Sequence, residues 1–305
     1  MYGGFEYDGD GAGRLAVGGG RYDPGADTWG EMQSSWWNAE RTRRTTISGP
    51  ARHSAVWTGT EMIVWGGRYW TEGTLTNRGW RYRMDRDSWA LMGPEIAEDE
   101  WQAPVDGNAP TPREDHCAVW TGAEMIVWGG RDAHGNSLND GGRYDPLLDK
   151  WRLLPDKDAA KGGANGLIAA WTGTHMLAWN GGIGGDGGMR ETTLARYDPV
   201  ADVWQRSRAA WEPQFEADEQ ALLVGAWTGE QLIVAGVTRV RYEPDHRGIW
   251  SRPVHTLSAY LYDPHADAWT AGEQIDVSSS DGLAGVWSGS ELLVFTGERV
   301  LAFTP

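Results

Sequence analysis

The chain of 305 residues has one cysteine, Cys117, only three lysines and only four phenylalanines. A single thiol excludes an internal disulfide, a thiolate zinc cluster and a two-cysteine redox pair. The lysines, Lys150, Lys157 and Lys161, are accompanied by scattered arginines, and the nearest thing to a basic patch is Arg41, Arg43 and Arg44. With a formal net charge of −16, a surface without a basic stripe repels a phosphate backbone, which argues against nucleic acid as a partner. No apolar run approaches the ~20 residues of a membrane-spanning helix, so no membrane insertion is expected. The opening MYGGFEYDGDGAG lacks the charged-then-apolar pattern of a secretion signal. Compartment stays open, with a secreted or extracytoplasmic location fitting a truncated N-terminus.

What the chain does have is 43 glycines and 20 tryptophans, the composition of many short strands joined by tight turns, with one bulky aromatic reused. The reuse is periodic. HSAVWTGTEMIVWGG at 53–67 returns as HCAVWTGAEMIVWGG at 116–130, then as LIAAWTGTHMLAWNGG from Leu167, LVGAWTGEQLIVAG from Leu223 and LAGVWSGSELLVFTG from Leu283. The anchor tryptophans Trp57, Trp120, Trp171, Trp227 and Trp287 are separated by 63, 51, 56 and 60 residues. A second piece alternates with the first: RYDPGADTW, RYRMDRDSW, RYDPLLDKW, RYDPVADVW and LYDPHADAW, closing on Trp29, Trp89, Trp151, Trp204 and Trp269.

Each piece reads as a hairpin. In the first, apolar runs flank a W-T-G-x-E-like turn whose glycine takes positive φ; in the second, Asp-Pro suits a type I turn, with the Asp carboxylate accepting backbone N–H bonds. Two hairpins make a four-stranded antiparallel sheet that cannot bury both faces alone, so copies must stack, and radial stacking of twisted sheets gives an all-β propeller. The joint recurrence of the double glycine, the Tyr-Asp-Pro and the closing tryptophan resembles the kelch family, in the Trp-rich version common in bacterial proteins. The resemblance covers nearly the whole chain and implies a single domain over 1–305, with repeat units at about 1–52, 53–115, 116–166, 167–222, 223–282 and 283–305. Both ends fall inside blades: Gly3-Gly4 matches the tail of a second strand, and Leu301–Pro305 aligns with a third. Five blades closed by both termini and a truncated six-bladed ring both fit. The pattern departs from itself at Val237, which replaces the second glycine, and at Arg83-Met84, which replace Asp-Pro.

Turns within the two hairpins are short, whereas the connections after the double glycine and after the closing tryptophan are long and differ in every copy. Strand alternation puts these on opposite faces, and recognition is expected on the long-loop face. Thr238–Ser258 and Thr270–Asp281 read as such loops. Tryptophans at the repeat positions, with Trp65, Trp128 and Trp179, are expected to pack blades together. The off-register aromatics Trp70, Trp101, Trp211 and Phe215 are candidate ligand contacts, because loops such as PEIAEDEWQAPVDG and WEPQFEADEQ set them among carboxylates, a combination that suits sugars or cationic groups.

No catalytic signature stands out. His53 and His116 share a position that holds leucine in the other copies and read as structural. The resemblance raises the copper-radical oxidases, but the tyrosines Tyr22, Tyr144, Tyr197 and Tyr262 are repeat-register core residues rather than metal ligands. It also raises kelch-type sugar isomerases similar to the bacterial sialic acid mutarotases, which would use arginine and a carboxylate at the propeller mouth for acid–base chemistry. For that, Arg52 and Arg113 at the entry to the inner strands, with Glu114 and Asp115, form the best cluster; the bland alternative is an ion pair at a blade junction. Asp8-Gly9-Asp10-Gly11 lacks the downstream glutamate of a calcium loop, and GGIGGDGG at 181–188 lacks the lysine of a phosphate loop. The sequence therefore points to a monomeric, non-enzymatic binding scaffold without metal or cofactor, taking a protein or glycan ligand.

Overall fold

The computed structural model describes residues 50–69, 73–93, 108–162, 167–181, 192–215, 223–244, 251–277, 283–296 and 299–305, with Ala26 and six short strands before residue 50. Those strands pair in sequence: β1 (Phe5–Tyr7) with β2 (Gly13–Leu15), β3 (Gly20–Asp23) with β4 (Thr28–Glu31), and β5 (Ser35–Trp37) with β6 (Arg44–Thr46). The first complete blade follows as β7 (Ser54–Trp57), β8 (Glu61–Trp65), β11 (Gly79–Arg83) and β12 (Ser88–Leu91), with the small pair β9 (Arg68–Tyr69) and β10 (Thr74–Leu75) between its second and third strands. The second is β13 (Cys117–Trp120), β14 (Met125–Trp128), β15 (Gly141–Asp145) and β16 (Lys150–Leu153). The third is β17 (Leu167–Trp171), β18 (Met176–Asn180), β19 (Thr193–Asp198) and β20 (Val203–Arg206); the fourth is β21 (Val224–Trp227), β22 (Leu232–Pro244), β23 (Ser251–Asp263) and β24 (Ala268–Val277). A fifth sheet holds β25 (Ala284–Trp287), β26 (Leu292–Phe295) and β27 (Val300–Phe303), so the chain's own last strand takes the third position there. The fold is all-β, a five-bladed propeller with four complete four-stranded antiparallel blades and three described strands in the fifth.

Contacts divide the chain into two compact units: one of residues 1–127, 131–134 and 141–153, the other of 128–130, 135–140 and 154–305. In the first unit, Val56, Ile63 and Trp65 of one blade share a core with Met125, Val127, Tyr144 and Trp151 of the next. In the second, Leu177, Trp179 and Leu194 pack with Leu232, Val234, Tyr262 and Trp269. One contact recurs. The indole before the double glycine meets the closing indole of the following blade: Trp65 with Trp151 at 5.0 Å, Trp128 with Trp204 at 4.6 Å, and Trp179 with Trp269 at 5.3 Å between centroids. Such tilted aromatic pairs add about 0.5–1.5 kcal/mol each beyond the area they bury.

The expected turn chemistry is present atom by atom. Thr58 Oγ1 accepts from the N–H groups of Thr60 and Glu61 at 3.3 and 3.1 Å, while Gly59 turns through φ 101°. In the second hairpin, Asp145 Oδ1 accepts from Leu147 N and Leu148 N at 2.8 and 3.1 Å. The last aspartate of Y-D-P-x-x-D closes a longer loop of its own. Asp149, Asp202 and Asp267 sit at positive φ, and each accepts the tyrosine hydroxyl five residues earlier, at 2.5, 2.5 and 2.7 Å. The spacing follows from this bond, which needs a short acidic side chain that tolerates the left-handed region.

Two expectations are corrected. The anchor tryptophans of the first hairpin sit at the margin of the core: Trp57 is 47 % exposed, whereas Trp120, Trp171, Trp227 and Trp287 are half-buried, and Trp120, Trp227 and Trp287 pack against the blade cores. Each ends a short inner strand beside its turn, where packing covers only part of the ring. The closing tryptophans Trp89, Trp151, Trp204 and Trp269, and Trp65, Trp128 and Trp179, are buried as expected; the side chain of Trp29 lies outside the described residues. Second, Thr238–Ser258 and Thr270–Asp281 are not simply loops: β22 and β23 run for 13 residues each and β24 for 10. The double glycines of the first two complete blades follow the second strand at positive φ, Gly66 at 72°, Gly67 at 97°, Gly129 at 69° and Gly130 at 90°. Val237 stays extended in that place, and the ladder continues past a bulge between Val237 and Arg239.

Candidate functional site

Two surfaces hold the described members of the predicted set. The first lies in the first unit, where the chain enters β7 and β13. Backbone bridges Ala51–Arg68 and Glu114–Arg131 are repeat equivalents, and Arg52 and Asp115 are the matching positive-φ residues, at 57° and 55°. Arg52 thus corresponds in the repeat to Asp115, and Arg113 lies two residues before it. Glu114 is buried and accepts Arg68 Nε and Nη2, both at 2.9 Å, and Arg131 Nε at 3.0 Å. Asp115 accepts Arg131 Nη2 at 2.8 Å and Arg52 Nη1 at 3.1 Å. Burial pushes Asp115 up to about 6, against the opposing charge of Arg52. Arg113 is fully buried and donates through Nε and Nη2 to Thr111 O and Oγ1, at 2.9 and 3.0 Å.

This geometry ties adjacent inner strands together. Acid–base catalysis requires a group that reaches substrate and exchanges a proton with it. Here the best carboxylate is enclosed by two guanidinium groups, and Arg113 is turned into the protein. Arg68 and Arg131, which complete the network, are legible as the arginine that follows the double glycine in both copies, GGR at 66–68 and 129–131.

His116 belongs to the same junction and is structural. Its Nε2 lies 2.7 Å from Ser54 Oγ, and its ring meets Trp65 edge-on at 5.0 Å. Burial, then the charges of Arg113 and His53, hold its pKa down to about 3, although a backbone bond to Trp65 pulls the other way.

The second surface lies in the second unit, on the extended sheet of the fourth blade. One sheet face carries Val240, Leu257, Ile275 and Val277, packed into the apolar core. The other carries Arg241 together with Arg239, Thr256, Gln274 and Asp276, the last four of which border, with Tyr260, a cavity of about 580 Å³. Asp276 accepts Arg241 Nη2 at 2.7 Å and Thr256 Oγ1 at 2.7 Å, which hold it down to about 2. Arg239 is exposed.

The segment before β21 supplies the aromatic wall. Glu212 accepts Trp179 Nε1 at 3.1 Å, and Phe215 is buried against Trp179 and Tyr260 at centroid distances of 5.8 and 5.5 Å. Phe215 is therefore a core anchor, not a presented ring, because its side chain fills the gap beside the Trp179 indole. Trp211 is the one it presents: 46 % exposed, edge-on to Tyr260 at 6.0 Å. Trp70 and Trp101 lie outside the described residues.

Residues 52–297 match the family described as the KLHDC2/KLHL20/DRC7 Kelch-repeats domain. The chain belongs to the kelch-repeat family. Among curated kelch relatives it is similar to human host cell factor 2, 26 % identical over 167 residues that make up 50 % of this chain and 20 % of that protein. It is also similar to dynein regulatory complex subunit 7 of Chlamydomonas reinhardtii, 28 % identical over 140 residues, 44 % of this chain and 11 % of the relative. Human kelch domain-containing protein 3 is 26 % identical over 131 residues, 42 % of this chain and 31 % of that one. The kelch match thus spans less than a third of each of these relatives.

Proposed function

We propose that this kelch chain is a non-enzymatic interaction scaffold that holds a protein partner on the long-connection face, centred on the extended sheet of the fourth blade. The observation that carries this reading is the pairing of a polar sheet face, Arg239 to Asp276, with the exposed indole of Trp211. A half-exposed aromatic beside paired and solvent-facing polar groups is the composition of an interaction hot spot. Kelch relatives named as a host cell factor and as a subunit of a regulatory complex support an assembly role. The enclosed carboxylate at Glu114 lends no support to sugar isomerisation.

The test is proximity labelling of the intact chain in its source cells, with partners ranked by dependence on this face. Trp211→Ala with Arg239→Glu should deplete the specific partners at least tenfold, while Asp85→Ala, in an exposed turn of the first blade, leaves them unchanged. An identical partner set for all three proteins refutes the reading. Binding of neutral glycans on an array, lost with Trp211→Ala, would redirect it from protein to sugar.

A further inference from the structure

A glutamate–arginine pair opens the first two complete blades and changes in the next two. In the first blade, Glu61 Oε1 accepts Arg81 Nε at 3.0 Å and Nη2 at 2.6 Å, and Arg81 Nη1 donates to Pro146 O at 2.8 Å. In the second, Glu124 Oε2 lies 3.7 Å from Arg143 Nη1. The third blade keeps the arginine and loses the acid. Leu177 opposes Arg196 as Ile63 opposes Arg81, but the residue in the glutamate position is His175. The fourth blade has neither charge, with Gln231 and Leu261 in those positions.

Arg196 therefore keeps a repeat-register guanidinium without its repeat-register carboxylate. Gln205 Oε1, a neutral acceptor, accepts its Nε at 2.8 Å and also its Nη2, and the guanidinium charge is felt by Asp267, whose carboxylate it helps hold below the usual range. His175 turns to Thr174 Oγ1 at 2.9 Å, with its Nε2 3.8 Å from Asp198. Beside Arg196 opens a cavity of about 520 Å³, walled by Leu177 and Trp227 and rimmed by His175, Gln231 and His265. On its other side a second cavity, about 300 Å³, brings Arg206 and Arg208 close. The neighbouring acids are engaged: Asp198 and Asp263 each accept two backbone N–H groups of their own turns, and Asp267 accepts Tyr262 Oη, Ser207 Oγ and Arg208 N. Glu230, on the rim, is exposed.

We propose that the crevice between the third and fourth blades, at the short-turn ends of their strands, binds a carboxylate that takes the place Glu61 and Glu124 fill in the first two blades. The ligand is a compact aliphatic acid, either a free dicarboxylic acid or the side chain of a glutamate on a partner; its chain lies along Leu177 and Trp227 and its carboxylate meets Arg196. A close ion pair of this kind acts within the roughly 8 Å Debye length of physiological salt, so the net charge of −16 does not prevent it. This site is separate from the long-connection face, and its failure would leave that reading standing.

The test is titration of the full chain with glutarate, with uncharged glutaramide and with the blocked peptide acetyl-Ala-Glu-Ala-amide, followed by isothermal calorimetry and the indole resonances. Saturable binding of glutarate but not glutaramide is expected. Binding by glutarate alone identifies a free acid, and binding by the peptide as well identifies an acidic side chain. His175→Glu restores the residue of the first two blades, so it should fold and fill the site from within, weakening glutarate at least tenfold. Arg196→Gln should weaken it equally, since a charge-assisted hydrogen bond is worth about one to two decades of affinity. Absence of saturable binding by every probe, or unchanged affinity in His175→Glu, overturns the proposal.

Discussion

Lowering the pH should destabilise this protein through His116, and the size of the effect follows from where the ring sits. The folded state holds His116 neutral down to about pH 3, whereas an unfolded chain protonates it near 6.5. The folded pKa is depressed, so between those values the unfolded state binds the extra proton. Stability is full above pH 6.5 and falls as pH drops toward 3. One proton of difference is worth about 1.4 kcal/mol per pH unit, so the loss from pH 7 to pH 5 is about 2 kcal/mol. The perturbation that isolates it is His116→Leu, since leucine occupies the equivalent position at Leu167, Leu223 and Leu283. At pH 7 the variant gives up the bond to Ser54 Oγ, about 1 kcal/mol. At pH 5 it should equal or exceed the wild type, because leucine takes up no proton. Guanidinium denaturation followed by tryptophan fluorescence at pH 7, 6 and 5 measures both. Parallel pH dependence in the two proteins would refute the reasoning, because His53, also held low by burial, is present in both.

Glu114→Ala should destabilise the first unit by about 3–5 kcal/mol in the same assay, since it leaves Arg68 and Arg131 facing each other without their shared carboxylate. Asp149→Ala should cost about 2 kcal/mol by thermal denaturation, from lost bonds to Tyr144 Oη and Gly93 N and from alanine at positive φ; Asp149→Asn should recover at least half. Phe215→Ala should cost about 3–5 kcal/mol as a core cavity, whereas Trp211→Ala, though the larger deletion, should cost under about 1 kcal/mol.

Much of the fold was legible because its causes are local. The W-T-G-x-E turn, the Asp-Pro turn and the two hairpins per blade are each fixed by bonds within a few residues, so recurrence in sequence translated directly into recurrence in space. The indole before the double glycine was also legible, although its partner, the closing indole one blade later, is a fact of packing that no short window contains. The candidate site was harder to read. Acidic-aromatic composition marked both Trp211 and Phe215, yet only the structure separates them, because the three residues between them carry the chain from the surface into the gap beside Trp179. Arg113, Glu114 and Asp115 precede the inner strand β13 in sequence, but the enclosure of Glu114 depends on Arg68 and Arg131, which come from elsewhere in the chain. The extended sheet of the fourth blade was announced by a single residue, Val237 in place of glycine, followed by the alternation V-T-R-V-R-Y. Its apolar positions were outweighed by the expectation that every copy stops its second strand at the same point.

That one replacement sets how the fourth blade bears load. β22 and β23 leave the buried ladder and stay paired past the bulge between Val237 and Arg239, so a protein gripping their far end would pull along hydrogen bonds in shear instead of bending a tether. A strand of 13 residues reaches about 43 Å, and its inner third is the centre of the blade. Whatever is carried on this arm is therefore bolted to the hub.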